Sequence, residues 1–470
     1  MPHRPHRRGE PAAAGAERGA AAPSPRAIEE RDSVLHSWCV PAEWDAPTIV
    51  GGRGARLITA DGREILDFSS LAECSNLGHQ HPAVVRAIRA QAERLCFVTS
   101  AWGAAPRAAL ARALLERSGF HGGRVFFTLG GADANEHAVK FARQARGLPR
   151  GLVVTRERSY HGASYACMAW SGDARVAAAS DPAAHGSVKV PPPYAYRCPF
   201  GTNDEAECGR RAAAAVAEAL DRHGPAQVAA VLMEPDAGSN GIVPPDSYWP
   251  ALRAATRARG VYLIADEVMS AFGRCGEWFA WQRHGEAGRP DLMTLAKGLT
   301  GAHLPLGAVV LSAKVAGRLE HAMLHTGLTY CGHPLACAAG LAALDAYADE
   351  GLIERARRLG GQMYTMLQDL RRRMPCVGEV RGGRGLFAVL ELVRDRATRA
   401  PLAPWPQTPA ALRTLVARGL AAGVSFAVRG NLVLLAPPLV IGEHELADAL
   451  TLLERLLREC VADEVREEAR

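Results

Sequence analysis

No run in this 470-residue chain approaches the ~18 uninterrupted apolar positions that a membrane-spanning helix needs, so no membrane span is expected. Excess charge of one sign is missing too. The formal net charge is only +6, with cations and anions interspersed, which leaves no footprint for nucleic acid. Neither a CxxC pair nor a Cys/His spacing of the zinc kind occurs among the 11 cysteines, which are scattered from Cys39 to Cys460. Disulfide scaffolds are short and cysteine-dense, so free thiols in a reducing cytoplasm are expected instead. Large apolar residues are nearly missing from residues 1–28, a segment rich in Ala, Pro, Gly and Arg. Such a stretch buries too little surface to offset its ordering entropy, and residues 1–31 are expected to be a disordered tail. The tail lacks the apolar core of a secretory signal, and Glu10, Glu17, Glu29 and Glu30 argue against a transit peptide. No G-x-G-x-x-G follows a strand-like run, and no acidic residue stands about 20 positions on as a ribose partner, which excludes an NAD-linked oxidoreductase. No internal repeat is visible.

What is present is a core of ample size. Hydrophobic residues make up 48% of the chain, and its length predicts two domains or one with a satellite. ARLITADGREILDFSS reads as a hairpin with Asp61-Gly62 in the turn, and a helix begins near Pro82. From Val125 strands and helices alternate: VFFT, GLVVT, SVKV, VAAVLM and VYLIA are buried strands, with helices such as 205–222 and 248–259 between them. That is the signature of an α/β protein with a mostly parallel sheet. Beyond about Gly332 come two long helices, then a smaller α/β unit in which VSFAVRGNLVLLAPPL reads as a hairpin or bent strand.

The chain is organised around Val261–Gly307. The strand VYLIA delivers Asp266 and Glu267 at its C-terminal end, where open α/β sheets place ligand contacts. Lys297 follows 31 residues after Asp266, in TLAKG. Small and apolar neighbours are expected to strip it of solvation and lower its pKa, making it a better nucleophile. Singly, each has a bland reading: an aspartate at a strand end is often a helix N-cap, and most lysines are solvated. Together they suit pyridoxal 5'-phosphate (PLP): the lysine amine condenses with the aldehyde, and the carboxylate keeps the ring nitrogen protonated. Gly130-Gly131-Ala132 opens a helix whose first N–H groups can bind a phosphate. Tyr160, in SYHGAS, is either a core tyrosine or a ring stacked on the pyridine.

LIADEV, FGR-G and AKG-PLG, with GGADANEHAVKFAR, resemble the class III (ω-amino acid) aminotransferases of PLP fold type I. The resemblance runs from about Ser33 to Leu457. It implies a large mostly parallel domain over residues 96–332, with a smaller α/β domain built from both chain ends. Residues 32–95 supply that domain's N-terminal part, and residues 333–470 a linking helix and its C-terminal part. The activity implied is ping-pong transfer of an amino group from an ω-amino acid or amine donor to a keto acid such as pyruvate. Lys297 and Asp266 are the implied catalytic pair. Gly131, Ala132, Tyr160, His161, Glu234 and Val268 are implied to surround the cofactor. Thr329, in GLTYCGHP, is implied to reach the phosphate of the partner subunit in a homodimer with shared active sites.

Several departures bear on the substrate. Gly130 and Ala132 replace serines of the family's phosphate cup, so backbone amides must carry more of that contact. Ser239 stands where an ornithine- or γ-aminobutyrate-type enzyme carries a second glutamate. Arg429 lies two residues beyond Ala427, the position aligned to the family's mobile arginine. It is either a substitute for that carboxylate-binding group or a turn arginine before Gly430-Asn431. Glu73 replaces a large apolar pocket residue. Either it turns to solvent or meets a nearby arginine, or it receives a second cation on the donor. RGGRGL, residues 381–386, holds one residue more than the family's usual wording. An aminomutase or decarboxylase of the same fold is the alternative function, distinguished by not consuming an external keto acid. A dead PLP domain serving as a scaffold is disfavoured by the presence of both Lys297 and Asp266.

Overall fold

The structure, a computed structural model, describes residues 25–462 except residue 184. Most of the expected tail therefore lies outside the described residues, while Pro25–Ser33, partly inside it, forms a short helix.

Three sheets organise the chain. The first joins β1 (Ile49–Arg53), β2 (Arg56–Thr59) and β3 (Glu64–Asp67) as an antiparallel meander, with Asp61-Gly62 in the β2–β3 turn. The second holds seven strands: β4 (Arg124–Thr128), β5 (Leu152–Arg156), β6 (Ser187–Val190), β7 (Val228–Met233), β8 (Tyr262–Asp266), β9 (Leu292–Leu295) and β10 (Gly307–Leu311). Their order is β4-β10-β9-β8-β7-β5-β6, and only β10 runs antiparallel to its neighbours. β7 and β8 are buried along their whole length, which explains their unbroken apolar runs: helices cover both faces of a parallel sheet. Each large aliphatic side chain buried there contributes about 1.5–3 kcal/mol.

β9 and β10 escape a reading that looks for strand–helix alternation. LMTL has four residues, and antiparallel β10 follows it without a crossover helix. The third sheet contains β11 (Val377–Gly382), β12 (Ala388–Asp395) and the short β13 (Ala400–Pro401). Beyond them the expected hairpin or bent strand divides. β14 (Val424–Ser425) pairs in parallel with β3, whereas β15 (Ala427–Arg429) and β16 (Leu432–Leu435) form an antiparallel pair beside β12. Phe426 marks the division and meets Phe68 edge-on at 5.6 Å between ring centroids. The helix Pro334–Asp349 packs against Pro82–Arg94 and Ala105–Ser118, bringing the chain's late part back onto its early part.

This topology gathers chemistry at one rim. The segments following β4, β5, β7, β8 and β9 all leave from the C-terminal edge of the sheet. The start of antiparallel β10 arrives there too, with Gly307 opposite Thr128.

Candidate active site

Asp266 ends β8 and is held from three sides. Its Oδ2 accepts from Asn135 Nδ2 and His161 Nδ1, both at 2.8 Å, and its Oδ1 accepts the Val268 N–H at 3.1 Å. Asn135 also donates to the His161 carbonyl at 2.9 Å and accepts from Thr294 Oγ1 at 2.7 Å. Burial lowers the pKa of His161 against the pull of Asp266, so the ring is neutral near pH 7 and Nδ1 is the donor. Sequence reading missed Asn135. Its one signal is the position four residues after Gly131 on the same helix, where an i, i+4 pair shares a face.

Glu234 follows β7. Arg156 Nη2 approaches it at 3.1 Å and the Tyr160 N–H at 3.4 Å. Burial pushes its carboxyl up to about 8, opposed by Arg156 and helped by Asp266. Glu267, adjacent to Asp266, faces the other way. It accepts from Ser270 Oγ and from the amides of Ala280 at 3.0 Å and Trp281 at 2.9 Å, capping the 3-10 turn Ala280–His284.

The helix Gly131–Arg146 starts at the same rim. Asp133 takes the amides of Leu129 at 2.7 Å and Gly130 at 2.8 Å, while the first-turn amides of Gly131 and Ala132 have no intrahelical partner. Gly131 is required by close packing: an added Cβ would lie 2.9 Å from Val268 Cγ1.

Lys297 follows β9 with a left-handed φ of 45°. Its Nζ donates to Glu73 Oε2 at 2.9 Å. This corrects two expectations. Glu73 neither turns to solvent nor pairs with an arginine; it is buried against the lysine. The lysine's pKa is raised, because Glu73, Cys74 and Asp266 outweigh the desolvation that pulls it down.

Glu73 is brought there by a strained turn. Ser70, Leu71, Ala72 and Glu73 all have φ between 47° and 65°, and none is glycine. Left-handed backbone costs about 1–2 kcal/mol per such residue. The turn is overdetermined by its anchors: Asp67 Oδ1 accepts from the amides of Ser69 and Leu71, Ser70 Oγ donates to the Ala436 carbonyl at 2.6 Å, and buried Arg274 donates to Ser70 Oγ at 2.9 Å.

Two cavities meet at Lys297. Gly131, Ala132, Tyr160, His161, Glu234, Asp266, Val268 and Lys297 line the first, of about 440 Å³. Glu73 and Arg429 line the second, of about 640 Å³, with Trp38, Asp173, Arg175 and Trp405; Tyr160, Ser239 and Lys297 belong to both. Arg175 is tied to Asp173 by bonds of 2.9 and 2.8 Å and lies over the rings of Trp38 and Tyr160. Arg429, which ends β15, is 3.7 Å from Asp173, and its buried Nε has no partner. Thr329 joins neither cavity; it lies on the exposed stretch between the helices Ala313–Leu319 and Pro334–Asp349. Trp38, Arg175 and Trp405 went unnoticed in the sequence because they sit far apart in loops and at the ends of short elements.

The first cavity fits PLP. It offers helix-start amides beside a glycine with no room for a side chain, a buried carboxylate whose Oδ1 carries a single donor, an aromatic wall and a lysine amine. A lysine and a carboxylate on adjacent strand ends of such a sheet define a PLP-dependent enzyme of fold type I. Comparison with known proteins narrows the class. The model of the class-III aminotransferase family matches residues 42–457. Taurine–pyruvate aminotransferase of Rhodobacter capsulatus is 34% identical over 439 residues, covering 90% of this chain and 94% of that protein. Leucine/methionine racemase of Thermococcus litoralis is 33% identical over 432 residues, with 90% and 94% covered. Among solved structures, taurine:2-oxoglutarate aminotransferase of Bifidobacterium kashiwanohense, in complex with PLP and glutamate, superposes with a TM-score of 0.87. It shows 35% identity and covers 92% of this chain and 97% of that one. The chain belongs to the class-III aminotransferase family, and it is a PLP-dependent aminotransferase.

Proposed function

We propose that this enzyme moves an amino group from an ω-amino acid or other primary amine to a keto acid such as pyruvate, in a ping-pong cycle centred on Lys297. The observation that carries the reading is the position of Lys297 Nζ at the junction of two cavities, one suited to the cofactor and the other open for a substrate. Bound in the first cavity, PLP supplies an aldehyde that takes up the amino group and a ring that withdraws electrons from the reacting carbon.

The chain's own residues supply the rest. Lys297 holds the cofactor and shuttles the proton at the donor carbon as general acid and base. Asp266 holds a proton on the ring nitrogen, an ion pair contributing on the order of 4 kcal/mol at about 4 Å and an effective dielectric of about 20. Asn135 and His161 keep that carboxylate aimed. The amides of Gly131 and Ala132 would hold the phosphate, Tyr160 and Val268 would wall the ring, and Glu234 supports the Tyr160 backbone. In the second cavity Arg429, whose Nε has no partner and which only loosely meets Asp173, receives the keto acid's carboxylate. The relatives' names, which join taurine to pyruvate and to 2-oxoglutarate, favour a donor carrying its acid group away from the reacting amine.

We further infer a cytoplasmic homodimer. The 11 cysteines are free, and Tyr330 is exposed next to Thr329, which then reaches a partner's cofactor. Among the described residues no helix is long and apolar enough to cross a membrane. Residues 96–332 form the cofactor domain, and both chain ends build the smaller one, a division supported by the pairing of β14 with β3.

A donor screen against pyruvate and 2-oxoglutarate tests the reading. A competent donor alone is expected to bleach the bound cofactor's visible absorbance, and the keto acid to restore it with one amino acid formed per amine consumed. Decarboxylation, rearrangement or racemisation without consumption of keto acid would reject the aminotransfer.

A further inference from the structure

Glu73 is a buried carboxylate that the cycle above does not use. Lys297 is the only side chain hydrogen-bonded to it among the described residues. The left-handed turn that carries it is anchored from behind through Asp67, Ser70 and Arg274, which fixes the backbone from which the side chain reaches Lys297. The charges facing the pair are few. Cys74 and Asp266 act on Lys297, Arg274 on Glu73, and Tyr160 lies beside the amine. From the second cavity Arg429 also acts on Glu73, while Asp173 is already tied to Arg175.

We propose that Glu73 is a positioning residue for the lysine, the ion-pair partner that governs when the Lys297 amine is free to react. This rests on the reading of Lys297 as the cofactor-binding amine. Before the cofactor is taken up, the 2.9 Å contact with Glu73 favours the protonated form of Nζ. For the amine to act, an N–H bond at Nζ breaks, its electron pair stays on nitrogen, and the proton forms an O–H bond to solvent water in the second cavity, a loss that the Glu73 carboxylate at 2.9 Å opposes. The same transfer in reverse captures the lysine each time it is released during a cycle. Holding the proton on Nζ makes uptake of the cofactor by the bare chain dependent on pH. It also gives the released lysine a fixed position between the two cavities.

The test is the rate at which full-length protein, stripped of cofactor, takes up PLP, followed by visible absorbance between pH 7 and 9. Below its pKa an amine loses about tenfold of its free form per pH unit, so the wild-type rate is expected to climb about tenfold per unit. Glu73→Gln is expected to take up cofactor at least about tenfold faster at pH 7, with a flatter profile. Glu73→Asp, which keeps the charge, should retain the wild-type slope. Borohydride reduction and peptide mapping accompany each measurement. Superimposed wild-type and Glu73→Gln profiles, with the cofactor mapped to Lys297 in both, overturn the proposal alone. Attachment at any other residue overturns the reading of Lys297 as well. Should Glu73→Gln fail to fold, Glu73→Ala is read in its place: uptake at least about tenfold faster than wild type at pH 7 supports the proposal, and a superimposed profile overturns it.

Discussion

Lys297 is one of only four lysines in a chain whose cations are otherwise arginines. Lys140 and Lys314 are exposed, and Lys189 is saturated by Thr155 Oγ1, Ser187 Oγ and the carbonyls of Ala169 and Trp170. No second lysine can therefore replace Lys297 at the cavity junction. Lys297→Ala is expected to bind PLP without covalent attachment and to lose about 10²–10⁴ in turnover; an alanine variant with wild-type turnover would remove the lysine from the mechanism. His161 provides a pH prediction. Its folded-state pKa is depressed, so below about pH 6.5 the unfolded chain binds a proton that the native ring refuses. The stability His161 confers is present above about pH 6.5 and lost as pH falls from there towards the depressed native value. Urea titrations of His161→Gln against wild type are expected to show a shallower loss of stability over that window. Parallel curves would mean that His161 is protonated in the native state.

At the scale of elements, the site is made where turns leave the sheet and touch each other. The turn after β5 presents Tyr160 and His161 and then abuts the start of the helix Gly131–Arg146. Gly162 makes the contact possible. Its φ is +127°, and an added Cβ would fall 2.5 Å from the Ala132 Cβ and 2.9 Å from the Ala132 Cα. Gly162→Ala is expected to destabilise the fold by about 1–3 kcal/mol and to push the Gly131-Ala132 amides off their positions. Denaturant midpoints and the cofactor dissociation constant measure the two effects. An unchanged dissociation constant would separate this turn from the phosphate contact. The left-handed turn at Ser70–Glu73 follows the same logic, since its strain is tolerated only because Asp67, Arg274 and the Ala436 carbonyl hold it.

At the scale of the whole molecule, one chain leaves apolar surface uncovered around the stretch that carries Thr329. Tyr330 is 54% exposed and meets Phe97 edge-on at 5.3 Å, and Trp102 is 70% exposed. Exposed apolar side chains gathered in a patch are the mark of an interaction surface. An obligate dimer interface buries more than about 2,000 Å² in total. Light scattering is expected to show a dimer at micromolar concentration, and Thr329→Ala to weaken cofactor retention without dissociating it. A fully active monomer would refute the shared site.

The sequence by itself determined the class of chemistry and pointed to most of the residues that the structure gathers around one cavity. Asp266, Lys297, the Gly131 turn and Tyr160-His161 are each recognisable because a strand end or helix start is a local event. The run of flanking residues specifies it, and the α/β alternation orients every such end to one rim. What it could not determine was the company these residues keep. A flanking sequence of small and apolar residues argues for a depressed lysine pKa, yet the measure that counts is the nearest charge, and that charge is Glu73, 224 positions away. Asn135, lodged between Asp266 and Thr294, and the cavity walled by Trp38, Arg175, Trp405 and Arg429 are likewise set only when distant segments close on one another. Electrostatic and packing energies fall off over a few ångströms in space, whatever the separation along the chain, so the protonation of Lys297 and the shape of the second cavity were decided by the tertiary structure.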